Sequence, residues 1–351
     1  MSLEEEGYKT ASITEGVAVA IATMDDAEKT VIASWFDDVW REPTEKLLND
    51  VLYGPSGERY PINDLALFHY TTAAGFDGML KSDEFWATRH DFLNDPSELV
   101  HAQSALRSVV EHWEAEHELP DTPAGRVQRS FLNKLGTISR SRTVDPCFVA
   151  SFSTHSDALP MWREYADQGK GFAVAFRGKK LIEMAQASSH NARLLPVVYD
   201  AEFQQAMLGN WSASILNGLA NLPVGLSKPG RILALLKVVT QVKAMWGTIA
   251  PVMKHPAYKS EAEFRLVTTP KFPKAPNAGV STRLSNGLLV PFVKIPAGAD
   301  GAKLPIKKVV AGPAQPQGVC LDAVRLRLVE AGQSLREHDV RQSKVPFRTA
   351  I

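Results

Sequence analysis

The sequence predicts an α+β fold, and three observations carry that prediction. Short runs dense in Val, Phe and Tyr recur along the chain, as at Phe172–Phe176 and Phe264–Thr268, and read as strands. Longer stretches follow the helical period instead, with Ile232, Leu235, Leu236, Val239, Val242 and Trp246 recurring over 231–249. The two kinds of segment are mixed without regular βαβ alternation, which favours a mixed or antiparallel sheet with flanking helices over a doubly wound one. At 351 residues, one large or two fused domains are expected.

The first predicted element is an amphipathic helix over 25–50. Asp25 is its N-cap with Glu28 at capping-box spacing, and Val31, Trp35 and Val39 form a stripe beside Ile32, Phe36 and Trp40. Gly54-Pro55-Ser56-Gly57 ends it as a turn. Residues 1–60 are therefore expected as an N-terminal helical extension on a main α+β domain, 61–351. That domain opens with a strand at Leu65–Tyr70, a helix over Ala73–Lys81 and a strand at Phe85–Thr88. Asp95 as N-cap, Pro96 at N1 and Glu98 at N3 start a helix over 97–117. Further helix runs through Leu135. Strands follow at Pro146–Phe152, Phe172–Phe176 and Leu195–Tyr199, then helices over 203–222 and 231–249. Strands return at Phe264–Thr268, Leu288–Val293 and Ile306–Ala311, and a helix over about 317–332 precedes the tail Asp339–Arg348.

Net charge is zero, so no global field draws the chain to nucleic acid or anionic membrane. The balance is uneven locally: residues 1–100 hold 20 Asp and Glu against 7 Lys and Arg. Residues 205–283 hold 10 Lys and Arg and only two acids, Glu261 and Glu263. That setting favours their ionised forms or an anionic ligand beside them, while a solvated Lys-rich helix face explains it equally. Cys147 and Cys320 lie in apolar contexts without a CxxC and are expected as buried thiols of a reducing compartment. The acidic Met1–Thr10 segment lacks the basic n-region and long apolar core expected of a signal peptide, and the apolar run Gly16–Met24 is too short to cross a bilayer. The chain reads as cytoplasmic, with no membrane partner. It has no Walker loop and no GxGxxG.

Glu261-x-Glu263 is the pattern that points most directly to chemistry. In an extended chain residues i and i+2 share a side, which puts both carboxylates on one face at a strand entrance, with Arg265 read on the other face. Like charges held that close raise one pKa and divide acid and base work between them. No third ligand stands at a set spacing, so no metal is assigned. The other polar segments have plainer explanations. Thr71 or Thr72 caps the helix after His69-Tyr70, and Trp162 and Tyr165, three apart on one helical face, make either aromatic walls for a planar ring or a core pair.

Together the segments resemble a bacterial family known as domain of unknown function 2971, over most of residues 65–348. The resemblance is carried by His69-Tyr70-Thr71, Phe85-Trp86-Ala87, Asn94-Asp95-Pro96-x-Glu98, Phe152-Ser153, Met161-Trp162-x-x-Tyr165, Gly171-Phe172 and Glu261-x-Glu263-x-Arg265. Val310-Ala311-Gly312-Pro313 and Ser343-Lys344-Val345-Pro346-Phe347-Arg348 close it. The strand-end His69-Tyr70-Thr71, the serine strand and the later Glu-x-Glu are also similar to the three motifs of ADP-ribosyltransferases. That second resemblance implies a split-sheet core and NAD as the substrate. His69 would bond a ribose hydroxyl, with Thr71 beside it, and Ser151 or Ser153 would brace the site. Tyr70, Trp162 or Tyr165 would stack on nicotinamide. Glu263 would hold the ribose 2′-hydroxyl and stabilise the oxocarbenium-like transition state, while Glu261 would orient or deprotonate the acceptor. The expected activity is ADP-ribose transfer to a macromolecule, protein or nucleic acid, or NAD hydrolysis, a chemistry suited to toxins or anti-phage defence. Its geometric requirement is that His69 and Glu263 face one cleft. Two rivals stand beside it: a metal-dependent nuclease or phosphodiesterase using Asp95, Glu98, Glu261 and Glu263, and a non-catalytic interaction module whose polar motifs are caps and buried ion pairs.

Overall fold

The computed structural model describes residues 18–347 except 20, 96, 142–146, 189–191, 270–278, 286, 299–300 and 317. Pro96 and Arg348, both part of the patterns above, lie outside the described residues. The described helices are α1 (Asp26–Tyr53), α2 (Ala73–Ser82), α3 (Glu98–Glu116), α4 (Pro123–Arg140), α5 (Leu159–Tyr165), α6 (Gly178–Ala187), α7 (Ala201–Ala220), α8 (Lys228–Ile249) and α9 (Val319–Glu330). The strands are β1 (Ala66–Thr71), β2 (Glu84–Arg89), β3 (Phe148–Ser153), β4 (Phe172–Arg177) and β5 (Arg193–Pro196). They continue with β6 (Glu263–Thr268), β7 (Val280–Ser285), β8 (Leu288–Pro296), β9 (Ile306–Ala311) and β10 (Val340–Gln342). The mixed α+β class expected from the sequence is the one observed.

Two compact units share the chain. The first takes the segment up to Glu58 with Ser97–Asp145 and Asp200–Met253; the second takes Arg59–Pro96, Pro146–Tyr199 and the chain from Lys254 onward. The boundary was expected at residue 60; the first segment ends at Glu58. The helices expected inside the main domain at 97–117, through 135, 203–222 and 231–249 instead join α1 in a helical unit. The reason is α1 itself: its buried Ile32, Trp35, Phe36, Val39 and Trp40 need partner helices. Trp40 meets Trp211 of α7 edge to face at 5.7 Å.

Asp25 does cap α1, accepting from the Ala27 amide at 3.2 Å, but Glu28 does not complete a capping box. Its carboxylate accepts from the Ser227 amide at 2.6 Å and the Ser227 hydroxyl at 2.8 Å, so it holds the start of α8 instead. Lys228–Val252 is long and apolar enough by composition to cross a membrane, and half of its apolar window is buried within this protein. The start of α3 also differs from expectation. The helix begins at Glu98 after Ser97, with no side-chain cap, and the Asp95 side chain bonds the Tyr258 hydroxyl instead.

The second unit is built on one ten-stranded sheet that forks. β6 pairs with β3 along its whole length, from Phe148↔Thr268 to Ser153↔Glu263. Phe148 also pairs with Arg89 of β2, and Ser153 with Phe68 of β1, so β1 and β2 share the opposite edge of β3 and must diverge. One branch continues β1-β4-β9-β10, the other β2-β8-β7, and β5 lies outside β6. All pairings are antiparallel except β9 with β10, which makes the sheet mixed. The polar strand β7 (Val-Ser-Thr-Arg-Leu-Ser) escaped the sequence reading because, as a two-sided edge strand, it carries no apolar run.

Between the branches, Thr72 caps α2 by accepting from the Gly75 amide at 3.0 Å. Gly171 opens β4 for steric reasons, since a Cβ there would lie 2.1 Å from the Thr71 carbonyl oxygen. Both cysteines are free and buried, as expected.

Candidate functional site

Glu261 and Glu263 do converge, though not by strand alternation. Glu261 ends a 3₁₀ turn, Pro256–Glu261, and Ala262 is left-handed at φ 44° before β6 begins at Glu263. That conformation is costly for a residue with a Cβ, and such strain gathers at functional sites. The chain thus turns a corner between the two carboxylates. What brings them together is Lys254, which donates to Glu261 Oε2 at 2.6 Å and to Glu263 Oε2 at 3.3 Å.

Arg265, read from the sequence on the opposite face, lies on the same face as Glu263, as two residues apart in a strand must. It donates from Nε to Glu263 Oε1 at 2.8 Å and from a terminal nitrogen to Oε2 at 3.0 Å, a forked pairing. The result is a balanced cluster of two carboxylates and two cations. Lys254 and Arg265 are each only 2% exposed, Glu263 5% and Glu261 7%.

The serine strand braces this cluster. Ser153 Oγ donates to the Glu261 carbonyl at 2.6 Å, and the Ser151 hydroxyl bonds the Glu263 carboxylate. Tyr165 donates its hydroxyl to Glu261 Oε1 at 3.1 Å, and the Glu263 amide donates to the Tyr199 hydroxyl at 3.0 Å. The Lys254 ammonium also lies 4.7 Å from the centre of the Tyr258 ring.

The environment divides the two carboxyls. Burial pushes Glu261 above the usual carboxylate range, outweighing the Lys254 ammonium. Burial pushes Glu263 the same way, but the charges of Arg265 and Lys254 overcome it and hold Glu263 below that range. Glu261 is thus the group poised to exchange a proton, and Glu263 the fixed negative charge. Burial, together with the carboxylates nearby, raises the phenol of Tyr165 and keeps it a neutral donor.

Of the nine residues singled out in the sequence, five meet here: Glu261, Glu263, Ser151, Ser153 and Tyr165. His69 does not. Phe68 pairs with Ser153, so alternation puts His69 on the opposite face of the sheet from Ser153 and Glu263. Its ring packs there against Phe152 at 5.6 Å and Phe85 at 5.8 Å, and Nδ1 bonds the Ser151 carbonyl at 2.9 Å, where the sheet forks. The single cleft required of His69 and Glu263 is therefore not formed by these two side chains.

Tyr70 and Trp162 are also corrected, from stacking walls to core. Tyr70 donates to the His155 carbonyl at 2.9 Å, accepts from the Ala158 amide at 3.2 Å and meets Trp162 edge-on at 4.9 Å. Trp162 is wholly buried and donates to Asp157 at 2.8 Å. Thr71 is buried at the end of β1, paired with Phe172.

Lys254 and Tyr199 are the site residues that sequence reasoning missed. A signal existed for Lys254, a lone lysine directly after the apolar Ile249–Met253. The metal reading loses its centre here, because Lys254 occupies the place between the carboxylates that a cation would need. Among the described residues no three His, Cys, Asp or Glu side chains converge as ligands.

Residues 161–266 match a family model described as "Protein of unknown function (DUF2971)", which supports placing this stretch in that family. The match takes in Tyr165, Tyr199, Lys254, Glu261, Glu263 and Arg265. No curated protein and no solved structure matches the chain.

Proposed function

We propose that the Glu261–Glu263 cluster is the reacting centre of an ADP-ribosyltransferase-like enzyme that cleaves the nicotinamide–ribose bond of NAD. One observation carries this reading: two carboxylates share one lysine, yet their surroundings drive their pKa values in opposite directions. The bracing of both by Ser151 and Ser153 agrees with what the motif resemblance implies for the serine strand.

In this reaction the bond from C1′ to the nicotinamide nitrogen breaks and its electron pair leaves with neutral nicotinamide. Glu263 stabilises the positive charge that develops on the sugar. An acceptor hydroxyl, of a macromolecule or of water, forms the new bond to C1′ and passes its proton to Glu261, whose raised pKa makes it a stronger base than an ordinary carboxylate. The scheme departs from the motif resemblance at its first residue: His69 lies on the opposite face, and the requirement that it share a cleft with Glu263 is not met. The reading rests on the acid pair and its serine strand alone.

A second reading rests on the enclosure of Glu263 beneath Arg265: the cluster is then a buried ionic lock in a non-catalytic interaction module. Incubation with NAD and candidate acceptors, without added metal, separates the two. Nicotinamide release is expected from the wild type, with a fall of roughly 10²–10³-fold in Glu263→Gln and a lost acid pH limb in Glu261→Gln. Silence in a folded wild type leaves the ionic lock, and nucleic-acid cleavage that needs a divalent metal moves the site to the nuclease class.

A further inference from the structure

A second polar site stands on the other branch of the fork. Pairing in β2, β8 and β7 places Trp86, Thr88, Phe292, Lys294 and Arg283 on one face of the sheet, through Trp86↔Lys294, Thr88↔Phe292 and Arg283↔Val290. Trp86 stacks on the buried Phe292 at 4.6 Å with 27° between the rings, and 39% of Trp86 remains exposed. One side of its ring is therefore supported and the rest is open.

The Arg283 guanidinium lies 5.8 Å from the Trp86 ring centre and 5.5 Å from that of Phe292, and donates to Thr88 Oγ1 at 2.8 Å. No carboxylate among the described residues pairs with it. Lys294, by contrast, has Glu84 at 3.4 Å. Burial lowers the pKa of Arg283, and no partner charge among the described residues offsets its loss of hydration. A guanidinium carries five N–H donors in a rigid fork, and Thr88 uses one side of it.

An oriented, partly desolvated cation without a counter-charge, beside a supported open indole, fits a ligand with a flat ring and an oxyanion. We infer that this face binds a nucleoside phosphate, its base stacked on Trp86 and its phosphate held by Arg283. Stacking alone takes any planar ring and the guanidinium alone takes any anion, so the two together select for a molecule that carries both. The inference does not rest on the reading of Glu261 and Glu263.

The test titrates AMP, adenosine and inorganic phosphate into the full chain, followed by calorimetry and by quenching of tryptophan fluorescence. AMP is expected to bind more tightly than either of the others, with an affinity that falls as salt is raised. Arg283→Met is expected to weaken AMP by about tenfold or more while leaving adenosine unchanged, the size of a lost charged hydrogen bond. Arg283→Lys, which keeps the charge without the fork, falls between and guards against a folding artefact in the methionine variant. Trp86→Leu removes the quenching and the adenosine binding together.

A wild type that binds AMP but releases no nicotinamide from NAD removes only the catalytic reading. Equal AMP affinity in wild type and both Arg283 variants, or no AMP binding at millimolar concentration, overturns the nucleotide site.

Discussion

Glu263→Ala is expected to cost about 3–5 kcal/mol of stability, the usual penalty for leaving a buried charge without its partner. Glu263 takes both forks of Arg265 and shares Lys254, and both cations are 2% exposed, so neither can recover its hydration by turning to solvent. The cost arises from the stranded cations more than from the lost attraction. The double variant Glu263→Met with Arg265→Met removes one charge of each sign and leaves Lys254 with Glu261. It is expected to recover most of the loss, because apolar replacement of a whole buried pair is often neutral or stabilising. Urea midpoints at unchanged slope provide the comparison. A single variant that costs under about 1 kcal/mol, the range of exposed ion pairs, contradicts the enclosure described for the cluster.

The same pair gives stability two opposed dependences on pH. The folded pKa of Glu263 lies below its unfolded value, so its contribution is complete above the usual carboxylate range and is lost as pH falls through the depressed folded value. Glu261 has the opposite sign. Folding raises its pKa, so the folded chain keeps a proton that the unfolded chain has released, and stability falls as pH rises through that interval. Glu261→Gln is expected to abolish the decline on the upper side and leave the acid side in place, as read from urea midpoints across the acid and neutral range.

Trp162→Ala should be comparably severe, about 3–5 kcal/mol, as for other large aromatic truncations in a core. The side chain is wholly buried in a cluster with Phe68, Tyr70, Met161, Ala173 and Val310. Its indole N–H also holds Asp157, which in turn accepts from the Lys344 amide at 2.8 Å and bonds Ser343. Truncation therefore opens a cavity and loosens the anchor of the C-terminal segment together. Trp162→Phe keeps most of the volume and loses only the donor, so it is expected to cost about 1–3 kcal/mol. Thermal unfolding of the two variants checks the order; a Trp162→Ala protein as stable as wild type would return this ring to the list of possible ligand walls.

Parts of the site were legible because their signals are local. Glu261-x-Glu263 was visible as an acid pair in a basic stretch, and Ser151 and Ser153 through the resemblance of their strand to a known motif. Tyr165 was also visible, though not separable from Trp162, since both fit the same helical spacing. What separates them is burial: one ring is enclosed beneath Tyr70 while the other reaches a carboxylate. His69 had the right strand-end pattern but the wrong face. Side-chain direction alternates within a strand, and which residue faces which neighbour depends on a register, Phe68 against Ser153, that no single strand encodes.

The sequence by itself determined the α+β class, most of the helices and strands, and the acid pair, because hydrophobic period and local composition act within a few residues. Tertiary structure decided the rest. It gathered helices from three separated segments into one unit, since α1 cannot bury Trp35, Phe36 and Trp40 alone. It set β1 and β2 on one edge of β3 and so forked the sheet. It also placed Lys254 between two carboxylates that the chain separates by a left-handed corner at Ala262, and the electrostatics of the site follow from that placement.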